Sequence, residues 1–569
     1  MSMKRYIDGG EGLLAACRSL GIDYIFSSPG SEWAPVWEAL ARQKSDSAQG
    51  PVYLDLWHET VAVGMACGYA LVTGRVQAVL LHAGPGLLQG TCAIHGALLS
   101  GVPMIVFSSE SITYGERAGV DPGSQWYRNL SIVGGPHGLV QPIVKWSNQA
   151  PSIETLYEMV VRTGEMALRA PAGPTYLNVP VEVLLEPWAA PKFPKRAAPP
   201  GAKISPVSEI EAIARLLASA KAPLVLTESA GRDPAAFAAL VALCDLLAIA
   251  VIEPQSAVST NFPRDNPLHQ GGAVEPLAAH TDLVLLVNCR APWYPPSARP
   301  PTATTIVIDE VPQRPHIVYQ VLHADAYLEG DVAVSLQGLA AAVKSIGFDA
   351  EQVAARRATL EAAHLELASR MNQSEAAAAQ SAGPIDAVHL VKCLRELAGS
   401  SALFVDETIT HSRLVQQHLR LNDPNRYFYV QGGLGQGLAV ALGVKLAARQ
   451  SPVILLVGDG SFLYNPIVQA LAAARDNDLP ILVVIFNNQK YLSMQYNHLR
   501  FYPDGVAVGT GDFRGVSLAT QPDLAAFGQP FDMFGVTVSK ISQLKPALAE
   551  ALATVNAGTC AIVNVMVAK

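Results

Sequence analysis

Short apolar runs alternate with longer segments of helical pattern along most of the chain. In the first third, four short runs with many apolar residues are expected to form strands. These runs lie at residues 24–27, 52–56, 77–81 and 103–108. Helical segments such as residues 34–41 and 61–71 separate them. Strands that alternate with helices build βαβ units, so this part of the chain predicts a parallel sheet.

The same alternation returns twice further along the chain. A stretch rich in Pro, Ala and Lys at residues 185–205 predicts a linker, and residues 340–382 predict an exposed helix followed by a flexible joint. Additional strands are predicted at residues 223–227, 250–252, 283–287, 305–308, 403–405, 453–457 and 481–486. We therefore expect an α/β protein with domains at residues 1–185, 205–340 and 383–569.

Two polar clusters follow successive buried strands of the third domain. The sequence GDGS at 458–461 comes after strand 453–457, and NN at 487–488 comes after strand 481–486. Both clusters therefore lie at the carboxyl ends of parallel strands, where open α/β sheets bind ligands. The carboxylate of Asp459 and the amide oxygen of Asn488 suit Mg²⁺ when phosphate oxygens complete its coordination.

The neighbours of Asp459 suit a phosphate group. Gly458 and Gly460 allow the backbone to approach a bulky anion. Ser461 and the N–H groups of a helix expected to begin near residue 465 are donors to phosphate. A turn that binds nothing is the alternative, but the second cluster on the next strand argues against it.

This pair of clusters resembles the cofactor motif of thiamine diphosphate (ThDP)-dependent 2-keto acid decarboxylases and carboligases, such as acetolactate synthase, pyruvate decarboxylase and benzoylformate decarboxylase. The resemblance extends over essentially the whole chain. It implies three doubly wound parallel-sheet domains: an N-terminal pyrimidine-binding domain, a middle domain and a C-terminal diphosphate-binding domain. It also implies ThDP and Mg²⁺ as cofactors, with the backbone carbonyl of Lys490 as a third metal ligand.

Further cofactor contacts follow from the same resemblance. The carbonyl of Gly432 is expected to accept from the 4′-amino group of ThDP. Leu434 matches the bulky apolar residue that holds the cofactor in its V shape, and Thr408 lies in a segment that lines the diphosphate and substrate pocket.

Glu59 follows a predicted strand and precedes an apolar helix, where an unpaired carboxylate would be costly to bury. One interpretation is a first-turn glutamate favoured by the helix dipole. In the family, a glutamate at this place hydrogen-bonds the aminopyrimidine ring, whose imino form then removes the C2 proton. The resemblance makes Glu59 the first candidate catalytic residue.

Five residues are expected to shape the substrate pocket. Ser31 and His82 match benzoylformate decarboxylase, and a histidine near neutral pKa suits proton transfer. Glu110 stands where the family generally has Gln; it would repel an anionic substrate or stay protonated beside Glu59. Ile409 and Met494 match pocket positions of relatives, and Met494, like the Gly-Pro-Gly loop at 84–86, is closer to the synthases. A satisfied histidine at a strand end is the alternative for His82.

The middle domain leaves its ligand open. Acetolactate synthases hold FAD in this domain and several relatives hold a nucleotide. No sequence feature here requires either, so FAD is possible but unsupported. The segment at 290–296 also lacks the histidine that benzoylformate decarboxylase brings to its active site from this region.

The amino-acid composition and net charge argue against two classes of binding partner. The chain has 569 residues, 50% of them apolar and 15% charged, and a net charge of −8 without a basic stripe. Nucleic acid and membranes are therefore not expected as partners. The seven cysteines are scattered and the first residues lack a signal-peptide core, which favours a cytoplasmic protein. The resemblance implies a homodimer or homotetramer, because in the family Glu59 and the GDGS motif meet across subunits.

The reaction expected is cleavage or formation of a C–C bond next to a carbonyl. Decarboxylation of a 2-keto acid, with protonation or carboligation of the resulting enamine, is the main hypothesis. A ThDP-dependent lyase or hydrolase of a dione or 2-hydroxyacyl substrate is an alternative. A nucleotide-binding oxidoreductase would need G-x-G-x-x-G after the first strand, which is missing. A silent homologue would lack Glu59 or Asp459, and both are present.

Overall fold

The computed structural model describes residues 4–112, 121–126, 130–314, 323–381 and 383–568. The chain forms two compact units. The first contains Met1–Pro200, Val430–Gln450 and Phe462–Ile481. The second contains Gly201–Tyr429, Ser451–Ser461 and Leu482–Lys569.

The first unit is built on a six-stranded, fully parallel sheet in the order β2-β1-β3-β4-β6-β5. The strands are β1 (Tyr24–Ser28), β2 (Val52–Asp55), β3 (Gln77–Leu81), β4 (Met104–Ser108), β5 (Trp146–Gln149) and β6 (Pro174–Asn178). The helices around it are α1 (Gly9–Ser19), α2 (Ala34–Ser45), α3 (Glu59–Thr73), α4 (Pro85–Leu99), α5 (Gly135–Val140), α6 (Ile153–Leu168) and α7 (Val181–Leu185). β3 and β4 are buried along their whole length, which explains their continuous apolar sequence.

The second unit begins with a five-stranded parallel sheet in the order β11-β10-β9-β7-β8. Its strands are β7 (Pro223–Thr227), β8 (Ala250–Ile252), β9 (Leu283–Val287), β10 (Thr304–Asp309) and β11 (Ala326–Glu329). Its helices are α8 (Val207–Ser219), α9 (Pro234–Leu247), α10 (Glu275–Ala278) and α11 (Val332–Ile346). The predicted exposed helix of the joint is α12 (Ala350–Ala378).

A third sheet, also parallel, has the order β13-β12-β14-β15-β17-β16. Its strands are β12 (Leu403–Glu407), β13 (Tyr427–Tyr429), β14 (Val453–Gly458), β15 (Leu482–Asn487), β16 (Phe534–Val538) and β17 (Ala561–Met566). The helices of this region of the sequence are α13 (Ala387–Ala398), α14 (Ser412–Leu419), α15 (Gly437–Ala447), α16 (Asp459–Tyr464), α17 (Ile467–Asp476), α18 (Leu492–Phe501), α19 (Val506–Thr510) and α20 (Ile541–Asn556). The prediction of three parallel-sheet α/β domains is confirmed.

One helix near the GDGS motif was not expected from the sequence. The Ala-rich helix expected to begin near residue 465 is α17, which begins at Ile467, and an additional short helix, α16, precedes it from Asp459. Asp459 therefore stands in the first turn of a helix, where the dipole favours a negative group. Six of the seven cysteines are buried, and Cys92 is exposed.

Helices α3 and α15 pack closely within the first unit because small residues face each other. An added Cβ at Gly68 would lie 2.0 Å from the carbonyl oxygen of Val440, and one at Gly443 would lie 2.1 Å from that of Met65. Neither glycine therefore tolerates a side chain without movement of a helix. Because α3 begins at Glu59, this packing fixes where that carboxylate stands.

Candidate functional site

The predicted pyrimidine-side residues converge at the carboxyl end of the first sheet. Glu59 is the first residue of α3, and the ring of His58 caps the helix by accepting from the Thr60 N–H at 3.1 Å. Its carboxylate lies against α4, because a Cβ added at Gly86 would sit 3.1 Å from Glu59 Oε1. The same Cβ would be 2.8 Å from the Cβ of His82, so His82 and Glu59 are neighbours across Gly86.

His82 is held by a buried carboxylate that the sequence analysis missed. Its Nδ1 lies 2.9 Å from Oε1 of Glu32, which is 5% exposed and also accepts from the Ala83 N–H at 2.7 Å. The hydrogen bond to Glu32 raises the pKa of His82, and the charges of Glu32, Glu59 and Glu110 act in the same direction. His82 is therefore poised to carry a proton. The only sequence signal was a Glu directly after Ser31 at the end of a buried strand.

Gly30 allows this close arrangement. A Cβ at this position would lie 1.8 Å from His82 Nδ1 and 2.3 Å from Glu32 Oε2. The backbone of the Pro-Gly-Ser turn thus packs directly against the His82–Glu32 pair. Ser31 follows at the start of a short 3-10 helix and is exposed.

Glu110 is buried at the end of β4. Its Oε1 accepts from the Gly84 N–H at 3.1 Å, and its own N–H donates to Asn178 Oδ1 at 2.8 Å. Burial is the largest cause of a raised pKa for Glu110, and the neighbouring carboxylate that adds to it is Glu32. Glu32, rather than the Glu59 expected from the sequence, is thus the carboxylate that contributes to this raised pKa.

The loop before α15 belongs to the same unit. Gly432 and Gly433 have φ values of 85° and 152°, which side chains rarely adopt. The carbonyl oxygen of Gly432 lies 3.4 Å from His95 Nδ1, and Leu434 is half-buried.

The predicted metal residues come together in the second unit. Asp459 and Asn488 are 2% and 4% exposed, and they follow the adjacent strands β14 and β15. Asn488 Oδ1 accepts from the Lys490 N–H at 2.9 Å, which closes a tight turn at the end of β15. Gly460 packs under the ring of Tyr491, whose Cε1 would be 2.4 Å from an added Cβ.

Asp459 has the surroundings of a cation ligand. Burial raises its pKa from 3.8 to about 6. In the part of the chain that the structure describes, no Lys, Arg or His forms an ion pair with it. The described residues also contain no group of three or more His, Cys, Asp or Glu that could hold a metal. A donor set of one carboxylate, one amide oxygen and a backbone carbonyl fits Mg²⁺ whose remaining ligands come from phosphate.

Gly458 and Ser461 complete the GDGS turn. A Cβ at Gly458 would meet only ordinary contacts, the nearest at 3.7 Å, so the protein itself does not require glycine there. Ser461 is 6% exposed and stands in the first turn of α16.

The turn at residues 408–410, directly after β12, contains a strained residue. Ile409 has a φ of 55°, a conformation that β-branched residues rarely adopt, and the Thr410 N–H donates to the Thr408 carbonyl at 2.7 Å. Such strain clusters at functional sites. Thr408 is 3% exposed, whereas Ile409 and Met494 are 37% and 53% exposed.

Three family models match the chain in order. Residues 7–129 match the N-terminal TPP-binding domain of thiamine pyrophosphate enzymes, residues 210–339 the central domain and residues 408–565 the C-terminal TPP-binding domain. Thiamine pyrophosphate and thiamine diphosphate are the same cofactor. The chain belongs to the ThDP-dependent 2-keto acid decarboxylase and carboligase family.

Curated relatives share most of the length of this chain. A probable 2-ketoarginine decarboxylase from Pseudomonas aeruginosa is 28% identical over 93% of this chain and 89% of its own. Benzoylformate decarboxylase from the same organism is 25% identical over 84% and 85%. Acetolactate synthase isozyme 2 large subunit from Escherichia coli is 22% identical over 95% and 93%.

A solved structure shows the same fold. Benzoylformate decarboxylase from Polynucleobacter necessarius superposes with a TM-score of 0.78 over 99% of both chains, at 20% identity. The family models and the curated relatives confirm the prediction of a ThDP-dependent enzyme of the decarboxylase and carboligase class, and the oxidoreductase alternative is not favoured. No described helix is both long and apolar enough to cross a membrane.

Proposed function

We propose that this enzyme decarboxylates a 2-keto acid with ThDP and Mg²⁺ and releases an aldehyde as its main product. The observation that carries the proposal is the His82–Glu32 pair beside Glu59. A histidine whose pKa is raised by a buried carboxylate can donate a proton to the carbon that has lost CO₂. Carboligation instead requires that this carbon remain unprotonated until it attacks a second carbonyl compound.

Each residue has a proposed task. Bound ThDP supplies a nucleophilic carbon and an electron sink for the departing carboxylate. Glu59 would hold the aminopyrimidine, with the Gly432 carbonyl and Leu434 as further cofactor contacts. Asp459, Asn488 and the Lys490 carbonyl would hold Mg²⁺, and Thr408, Gly458, Gly460 and Ser461 would surround the diphosphate. In the first unit, Ser31 and Glu110 would shape the substrate pocket around His82, and Ile409 and Met494 are the proposed pocket residues of the second unit.

Decarboxylation can be tested by CO₂ release from pyruvate, benzoylformate and 2-ketoarginine, with and without ThDP and Mg²⁺. We expect cofactor-dependent release from at least one acid, with the aldehyde as co-product. Glu59→Gln should abolish release, while Glu158→Gln, an exposed change on α6, should not. Absence of release by protein that binds ThDP would contradict the proposal and direct the search to diones and 2-hydroxyacyl compounds.

We propose that the middle domain holds no FAD. Glu228 follows β7, is 5% exposed, and its Oε2 accepts from the N–H groups of Arg290 and Ala291 at 2.7 and 3.1 Å. A side-chain carboxylate thus occupies two backbone donors at the carboxyl end of the sheet, the edge where open α/β sheets bind their ligands. The buried Asp309 ends β10 at the same edge. The test is the absorbance spectrum of the purified, denatured protein, in which a flavin band would contradict the proposal.

We also propose a homo-oligomer in the cytoplasm. Trp57, two residues before Glu59, is 58% exposed, and Leu88 on α4 is 49% exposed. Tyr464, at the end of α16, is 66% exposed. Exposed large apolar groups beside predicted cofactor residues favour burial in an interface. Sedimentation should give a dimer or tetramer, and a monomer would refute this part.

A further inference from the structure

A row of side-chain hydrogen bonds runs through the third sheet and ends at Asp459. We name Asp523, Thr537, Asn564, Asn487 and Gln521 the amide row. Thr537 Oγ1 donates to Asp523 at 2.6 Å, and Asn564 Nδ2 donates to Thr537 at 3.1 Å. Asn487 Nδ2 donates to Asn564 Oδ1 at 3.0 Å.

The backbone N–H of Gln489 determines which atoms of the amide row donate and which accept. Asn487 Oδ1 accepts from the Gln489 N–H at 3.1 Å, and a backbone N–H can only donate. The oxygen of Asn487 must therefore face this turn, and its amide nitrogen must face Asn564. The group that meets Asn487 Oδ1 from the other side must also be a donor. It is Gln521 Nε2, at 2.7 Å.

Gln521 brings this donor to the carboxylate. Its Nε2 also lies 3.4 Å from Asp459 Oδ2, so one amide nitrogen is shared between Asn487 and Asp459. The same orientation turns Oε1 of Gln521 away from both oxygens. That Oε1 is buried and has no hydrogen-bond partner among the described residues.

The backbone around Gln521 is tied to the turn that follows Asn488. The Leu518 N–H donates to the Gln489 carbonyl at 2.8 Å, and the Tyr491 N–H donates to the Val516 carbonyl at 2.9 Å. The Gln521 N–H donates in turn to the Leu518 carbonyl at 3.1 Å. The segment that contains Gln521 is thus fixed to residues 489–491, the turn that follows the predicted ligand Asn488 and contains Lys490.

We propose that Gln521 is a positioning residue for the metal site: oriented by the amide row, its Nε2–H holds the Asp459 carboxylate in the place where it binds Mg²⁺. A buried carboxylate that ligates a metal needs hydrogen bonds to its free oxygen, and such partners typically change metal affinity 10- to 100-fold. This inference rests on the proposed metal role of Asp459.

The test is the dissociation constant for Mn²⁺, measured by electron paramagnetic resonance of free Mn²⁺ at saturating ThDP. Gln521→Ala and the similarly sized Gln521→Met should weaken Mn²⁺ binding about 10- to 100-fold. Gln529→Ala is the matched control, because Gln529 is exposed in the same segment. A purely structural role would lower the unfolding temperature of the cofactor-free protein and leave the Mn²⁺ constant unchanged.

The outcomes separate this inference from the proposed function. Wild-type protein that takes up no Mn²⁺ with ThDP would refute the proposed function. Normal uptake by the wild type with variants within about twofold of it would refute only the role of Gln521. Should the Gln521 variants fail to fold, Thr537→Val breaks the amide row at an exposed strand position. We expect it to weaken Mn²⁺ binding about two- to tenfold, and an unchanged constant would overturn the inference.

Discussion

Replacing Asp459 with Asn should make the cofactor-free protein more stable and make it unresponsive to ThDP and Mg²⁺. Asp459 is 2% exposed and no described Lys, Arg or His pairs with it. In the protein without a cation, its charge is therefore held in place at a cost in free energy. A neutral side chain of the same shape removes that cost together with the metal site.

The size of the effect follows from the pKa. Burial raises the pKa of Asp459 from 3.8 to about 6. A change of this size corresponds to about 3 kcal/mol. Because the pKa is higher in the folded state, the destabilisation develops as pH rises from about 4 to about 6 and is complete above that range. Asn cannot accept at both positions, and its lost hydrogen bonds reduce the expected gain to about 1–3 kcal/mol at neutral pH.

The assay is thermal unfolding with EDTA and with ThDP plus Mg²⁺. Ligand at 100 times its Kd stabilises a folded protein by about 2.7 kcal/mol, and the wild type should show this shift. Asp459→Asn should start from a higher unfolding temperature in EDTA and show no shift. Asp504→Asn, an exposed change in the same unit, should behave as wild type. A lower unfolding temperature in EDTA, or a retained cofactor shift, would refute the reasoning.

Three further predictions concern the first unit. Because the pKa of His82 is raised by Glu32, Glu32→Gln should move the alkaline fall of kcat to lower pH, and an unchanged pH profile would contradict the pairing. Gly68→Ala should lower the free energy of unfolding by about 1–3 kcal/mol in urea titration, whereas Gly138→Ala, whose Cβ would meet nothing within 4 Å, should be nearly neutral; equal effects would argue against the close helix packing. Glu110→Gln should remove any rise of KM with pH for an anionic substrate, because the wild-type carboxyl ionises above its raised pKa; a rise that persists would exclude Glu110 as its source.

Glu59, Asp459 and Asn488 each follow a strand of a parallel sheet, and their placement was predicted from the periodicity of the sequence. β3, β7, β8 and β9 have the predicted bounds, because strands buried on both faces are continuous apolar runs. Asp459 and Glu59 could be placed because the carboxyl ends of parallel strands meet at one edge. The order of strands and polar residues along the chain thus predicted the edge of each sheet at which the candidate site residues lie.

Glu32 and Gln521 could not be found in this way. Each acts through a partner distant in sequence, His82 for Glu32 and Asp459 for Gln521. Local patterns report which face of an element is buried, but not which polar groups meet inside the fold. That depends on the register of the strands and on the directions of hydrogen bonds, which are set only when the sheets assemble.

The sequence by itself determined the fold class, the cofactor motif and the edges of the sheets at which the candidate site residues lie. The tertiary structure decided the raised pKa of His82, the neighbour of Glu110, the start of α16 at Asp459 and the strained backbone of Ile409. The physical reason is that a pKa depends on burial and on nearby charges, and strain depends on the contacts that enforce it. Both arise from packing between segments far apart in the chain.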